Sequence, residues 1–146
     1  MRAILFLIVM LFLHVFADFN MQGILASMKQ KSWWEELARN HKLSLVDVLG
    51  RYKNDYKMAL TAHAFEWSFV VLLPLFVLCF TDLAYWPRVI IYLCLIASNT
   101  WFHAMVDDSK ANKRQLNLVE DQILHLVQIV VSWGIATIFY CWKFGR

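Results

Sequence analysis

Four stretches of this chain are apolar and long enough to cross a bilayer, near residues 3–27, 58–80, 87–107 and 117–142; a helical span takes about 20 residues. Nothing constrains the fold more. A backbone in lipid must satisfy its own N–H and C=O groups, and for segments of this length the helix does so. The expected fold is an all-α membrane protein, a four-transmembrane-helix bundle forming a single membrane domain over 1–146, with an interfacial loop at 28–57. Composition agrees: 60% of residues are hydrophobic and 16% aromatic, with four Gly and two Pro, whereas a soluble domain is about half apolar. Pro74 is expected to kink the second span, and Pro87 to open the third.

The first segment also resembles a secretory signal peptide: Arg2, an apolar run from Ala3 to Leu13, then Val15-Phe16-Ala17. The apolar character continues through Phe19, Met21, Ile24 and Leu25, so a retained span is expected instead. Cys79, Cys94 and Cys141 have no CxxC spacing and are read as small buried hydrophobes.

The basic residues are unevenly spread. Lys29, Lys31, Arg39, Lys42, Arg51, Lys53 and Lys57 lie between the first two spans, and Lys110, Lys113 and Arg114 between the last two. The other side has Arg2, Arg88, Lys143 and Arg146. The positive-inside rule then puts both loops in the cytoplasm and both termini outside. In the first loop Ser32 and Glu35 read as a capping box, followed by Trp33, Trp34 and Leu37, which suit a membrane surface. A short surface helix is expected there and a second around Leu43–Tyr56, as a lid, a lipid-sensing element or a plain amphipathic connector.

The chemistry lies in the polar residues of the spans. His14 and Asp18, His103 and Asp107, and Asp121 and His125 are each four apart, a spacing that stacks two side chains on one helix face. With alternating spans, these six and His63 fall in one layer, roughly 5–10 Å below the cytoplasmic interface at 1.5 Å per residue. Gln22, Asn99 and Asn117 extend the three stripes. Ionisable groups at this depth turn into the bundle and mark function by default.

Imidazole and carboxylate are ordinary ligands of zinc, manganese or iron, and i,i+4 spacing lets two of them reach one ion. The metal candidates are His14, Asp18, His63, His103, Asp107, Asp121 and His125. Such a set exceeds the needs of one tetrahedral ion, so it implies two divalent ions, or one with carboxylates orienting the imidazoles. Asp18, Asp107 and Asp121 are the candidate catalytic groups, as ligands or general base. The same residues are also compatible with a proton pathway or with structural polar packing. Glu66 is placed to join the site or to stay peripheral. His41, Asp82, Asp108 and Glu120 are read as solvated or loop residues.

Three motifs in order, His14-x3-Asp18-Phe19-x2-Gln22, His103-x3-Asp107 and Asp121-Gln122-x2-His125-Leu126, resemble the family called domain of unknown function 3307. Its members are small bacterial and phage membrane proteins. The resemblance covers nearly the whole chain; His63 matches a further family histidine, and Ala17 stands where the family often has glycine. It implies an inner-membrane location and little about activity, because the family has no established function; only in style is it similar to other small membrane proteins described as metal-dependent hydrolases. The function expected is metal-dependent hydrolysis of an amphiphilic or lipid phosphoester near the cytoplasmic leaflet. Lys110, Lys113 and Arg114 would attract its anionic headgroup or simply set topology. The alternatives are a metal-ion or proton transporter, and a non-enzymatic membrane factor with a structural His/Asp site. The expected partners are membrane lipid and such a substrate; no nucleic acid is expected.

Overall fold

The computed structural model describes residues 2–40, 50, 52–80 and 86–144. All regular structure among them is helical: α1 (Arg2–Phe16), a π-helical turn (Ala17–Met21), α2 (Leu25–Met28), α3 (Lys31–Asn40), α4 (Asp55–Phe80), α5 (Trp86–Ala111) and α6 (Leu118–Phe144). Four segments are long and apolar enough to cross a membrane: Ala3–Met21, Asp55–Val77, Trp86–Ala111 and Leu118–Phe139. They form a ring in which α4 packs against α1 and α5, and α6 closes the circle between α5 and α1. The α4–α5 pair is the most extensive contact.

The core is a belt of Met10, Trp67, Val71, Leu72, Leu75, Tyr92, Leu95, Ile96 and Ile129. Large apolar side chains also cover the outside, among them Phe12, Phe65, Trp101, Val131 and Ile138. Apolar surface on this scale needs a covering, and a lipid environment supplies one. Cys94 is exposed on this outer face and is not the buried hydrophobe expected of it. The readings made for Cys79 and Cys141 concern side chains outside the described residues.

The first span ends sooner than its hydropathy indicates. Helix α1 widens into the π turn at Ala17, and Gly23 takes a positive φ of 49°, a conformation open to glycine and strained for other residues. The chain turns there, and residues 24–27 lie beyond the span. Pro74 is accommodated inside α4, which continues through it to Phe80. Trp86 and Pro87 open α5, and α5 runs one turn past Asp107, ending at Ala111.

The predicted surface helix is present as α3, but it begins at Lys31 with Ser32 already inside it. Ser32 and Glu35 are therefore not its capping box. A reciprocal box forms instead at the start of α6. Asn117 Oδ1 accepts from the backbone N–H groups of Val119 and Glu120 at 2.9 and 3.0 Å, and Glu120 Oε2 accepts from Asn117 N–H at 2.8 Å. The second expected loop helix lies largely outside the described residues; Asp55 and Tyr56, at its predicted end, belong to α4.

Candidate metal centre

The alternating spans bring the predicted polar residues together. His14, Asp18, His63, His103, Asp107, Asp121 and His125 are all buried, none more than 7% exposed. His63 comes from α4, His103 and Asp107 from α5, Asp121 and His125 from α6, and Asp18 from the π turn.

Six of them form a connected set of donor atoms. The Nε2 atoms of His63 and His103 are 3.3 Å apart. His63 Nε2 lies 3.8 Å from Asp18 Oδ1 and 3.5 Å from Asp107 Oδ2, and His103 Nε2 lies 3.7 Å from Asp107 Oδ2. His125 Nε2 sits between two carboxylates, 3.6 Å from Asp107 Oδ1 and 3.5 Å from Asp121 Oδ1. Two ligands each about 2.1 Å from a tetrahedral ion stand roughly 3.4 Å apart, so these separations suit shared coordination. They are long for direct hydrogen bonds. Three overlapping triads have donor atoms within 4.8 Å of one another: Asp18–His63–His103, His103–Asp107–His125 and Asp18–Asp121–His125.

Unpartnered atoms point the same way. Both ring nitrogens of His125, Nδ1 of His103 and Oδ1 of Asp121 are buried without a hydrogen-bond partner. A buried polar group left unpaired costs about 1–3 kcal/mol, and a divalent ion would satisfy the two that face each other, His125 Nε2 and Asp121 Oδ1. The donor set, imidazoles with carboxylates, suits zinc, manganese or iron(II).

His14 shares the layer but not the cluster. Its Nδ1 accepts from Trp67 Nε1–H at 3.1 Å, and its Nε2 lies 3.1 Å from Gln122 Oε1. With the indole fixing Nδ1 as acceptor, Nε2 carries the proton and donates to Gln122. Both nitrogens are thus engaged away from the candidate ligand atoms. His14 and Asp18, which stands in the π turn, both bond the Gln122 side chain, so they share a face as i,i+4 spacing implies, but the His14 ring is taken up by Trp67 and Gln122. Asp18 instead receives Gln22 Nε2 on Oδ1 and Gln122 Nε2 on Oδ2, both at 2.7 Å; Gln22 also bonds its backbone carbonyl. Single π turns of this sort recur at functional sites.

Three further residues complete the centre. Trp67 is fully buried and stacks on His103, with centroids 4.3 Å apart, while His103 stacks on His125 at 4.1 Å. Gln122 links His14, Asp18 and Asp121. Lys29 reaches in from the segment after α2 and pairs with Asp107 Oδ2 at 2.6 Å. Trp67, one turn after His63, and Gln122, beside Asp121, carry a signal in their spacing. Lys29 carries none, because its approach depends on the turn at Gly23. Lys110 pairs with Asp121 Oδ2 at 2.6 Å, closer to the chemistry than a headgroup attractor above it.

Of the other polar residues, Asn99 lies deeper and bonds Ser132 and the Leu95 carbonyl. Asn117 serves as the α6 cap. Glu66 is half-buried and belongs to none of the ligand groups. Asp108 pairs with Lys113 at the surface. His41 and Asp82 lie outside the described residues. No family model matches this chain, and neither a curated protein nor a solved structure does.

Proposed function

We propose that this chain is an intramembrane metal-dependent hydrolase acting on a lipid or other amphiphilic phosphoester near the cytoplasmic leaflet. The observation that carries the reading is His125, fully buried, with its unpartnered Nε2 between Asp107 and Asp121 and its ring stacked on a second candidate ligand. His63, His103, His125, Asp18, Asp107 and Asp121 would hold one or two ions of zinc, manganese or iron. When bound, such an ion supplies Lewis acidity toward an ester or phosphoryl oxygen.

The remaining roles belong to the chain itself. Asp18 has both oxygens held by glutamine amides, and Asp107 is held by Lys29, so both are oriented. Asp121 has Oδ2 held by Lys110 and Gln122, which leaves its unpartnered Oδ1 to face an ion beside His125 Nε2. Trp67 and Gln122 fix His14, and the stacked rings exclude water from the inner wall. The basic loops face the cytoplasm in this scheme, placing the centre near the inner leaflet.

A transport reading would need polar steps through the far half of the bundle. Asn99, Gln128, Ser132 and Arg88 are buried deeper in the bundle, but Val71, Leu72, Leu75, Leu95, Ile96 and Ile129 form one packed apolar cluster there, which favours a reaction centre over a conduction path.

The test is elemental analysis of detergent-purified protein beside a His103→Ala/His125→Ala variant, with folding of both checked by near-ultraviolet circular dichroism. Near-stoichiometric metal in the wild type, lost in the folded variant, is expected, followed by metal-dependent release of product from a panel of phosphoester lipids. Folded wild type that holds no metal after reconstitution would overturn the reading.

A further inference from the structure

Two lysines bind the two carboxylates that flank His125. Lys29 Nζ is 2.6 Å from Asp107 Oδ2, and Lys110 Nζ is 2.6 Å from Asp121 Oδ2. The other oxygen of each carboxylate faces His125 Nε2. The ammonium groups therefore stand on either side of one candidate ligand, on the basic side of the bundle.

Their setting is built. Asn112, just past the end of α5, donates from Nδ2 to the Lys29 carbonyl at 3.1 Å and accepts from Lys31 N–H on Oδ1 at 2.8 Å. One amide thus ties down the backbone from Lys29 to Lys31. The Lys29 side chain is 11% exposed, while that of Lys110 is 35% exposed. His103, Asp121 and His125 behind them are fully buried. The two ammonium groups are thus more exposed than the carboxylates they hold.

Charge then narrows what can enter. Asp18, Asp107 and Asp121 bring three negative charges and Lys29 and Lys110 two positive ones, leaving one negative charge with the imidazoles neutral, as ligation requires. One dication turns this to one positive charge. Uncompensated charge in a low-dielectric bundle is costly, so the loaded centre favours a ligand carrying a single negative charge. A phosphodiester has that charge, a phosphomonoester dianion exceeds it, and a carboxylic ester brings none. Each ammonium has three N–H donors, enough to keep its carboxylate and donate a charge-assisted bond to a phosphodiester oxygen.

We infer that Lys29 and Lys110 form a clamp for a monoanionic phosphodiester beside the His/Asp centre. This rests on the proposed function, since the count includes one dication. The shared chemistry is the phosphodiester, carried by a lipid headgroup or by a soluble molecule.

The experiment uses zinc-loaded protein in neutral maltoside micelles. Dimethyl phosphate, phosphatidylglycerol, methyl phosphate and diacylglycerol are each titrated, with binding of the phosphates read by phosphorus NMR and of all four by calorimetry. Saturable binding of phosphatidylglycerol is expected, with methyl phosphate weaker and diacylglycerol absent. Dimethyl phosphate binding as well would show that the clamp needs no acyl chain; binding of phosphatidylglycerol alone would assign it to lipid. Lys110→Met is expected to weaken binding roughly tenfold or more, as loss of one hydrogen bond to a charged group gives, with zinc content retained. Lys110→Arg restores the charge and should restore binding. Lys29→Met is the second variant, checked for fold first.

Protein that holds zinc but binds neither phosphodiester, or a Lys110→Met variant that binds as tightly as wild type, would overturn the clamp and leave the metal centre standing. Protein that holds no zinc would remove the proposed function and the clamp with it.

Discussion

The two halves of this bundle are held together by different physics. On the basic side, side chains meet through imidazole, carboxylate, amide and ammonium groups over a few ångströms, and most contacts there are directional. On the opposite side, Val71, Leu72, Leu75, Leu95, Ile96 and Ile129 meet as a plain apolar cluster. Lipid is as apolar as leucine, so in a membrane this second kind of contact has little hydrophobic drive and rests on close packing. A deep polar step of Asn99, Gln128 and Ser132 joins the halves: Gln128 Nε2 bonds the Asn99 carbonyl, and Ser132 exchanges bonds with the Asn99 amide. The comparison teaches that the apolar half supplies a scaffold tolerant of substitution, while the polar half sets the positions of individual atoms.

The strongest way to break that comparison is at Asp107. Its Oδ2 pairs with Lys29 and lies near two imidazoles, and its Oδ1 faces a third. Asp107→Ala would strand a largely buried ammonium, and breaking one partner of a buried pair costs about 3–5 kcal/mol. The expected result is a large loss of stability in detergent unfolding together with loss of bound metal. Lys29→Met in the same chain removes the stranded charge. The double variant should recover much of the stability and none of the metal. A double variant no more stable than Asp107→Ala would mean that the ion pair is not the source of the cost.

Leu72→Ala sharpens the comparison from the other half. Leu72 is fully buried in the apolar cluster. Leucine-to-alanine changes in soluble cores cost about 2–5 kcal/mol, combining transfer and cavity terms. Here the transfer part is small because lipid replaces water as the alternative surrounding, so the loss should fall at or below the lower end of that range. Metal content should stay at the wild-type level. Loss of metal in a folded Leu72→Ala protein would show that the two halves are coupled more tightly than their contacts indicate.

The same division explains what could be read before the fold was known. Span number, helical class and the layer of His63, His103, Asp107, Asp121 and His125 follow from hydropathy and i,i+4 spacing, because straight helices preserve those periods. Where tertiary contacts or a backbone turn decide, the reading fails. His14 is taken up by Trp67 and Gln122, contacts that its spacing from Asp18 does not reveal. The left-handed Gly23 folds Lys29 back onto Asp107, a contact between residues 78 apart in sequence that no local pattern encodes. Cys94 shows the limit of composition: an apolar segment has no sequence mark for which side of the helix meets lipid.

The smallest effect expected tests a local device that serves the polar half. Asn117 had the spacing of a third inward-facing residue with Asp121 and His125, yet its side chain caps α6 and exchanges bonds with Glu120. Loss of such a cap costs about 1 kcal/mol. The cap lies one turn before Asp121, and Asp121 N–H itself bonds the Asn117 carbonyl at 3.1 Å. Asn117→Ala should therefore fray the first turn of α6 and loosen Asp121 more than His125, one turn further in. The expected outcome is a stability loss of about that size, faster hydrogen exchange at residues 119–121, and metal still bound with lowered affinity. Asn117→Ser, which keeps a capping oxygen, should sit close to wild type on all three measures. If Asn117→Ala leaves exchange at Asp121 unchanged, the cap does not position that carboxylate, and its lysine and glutamine bonds alone hold it.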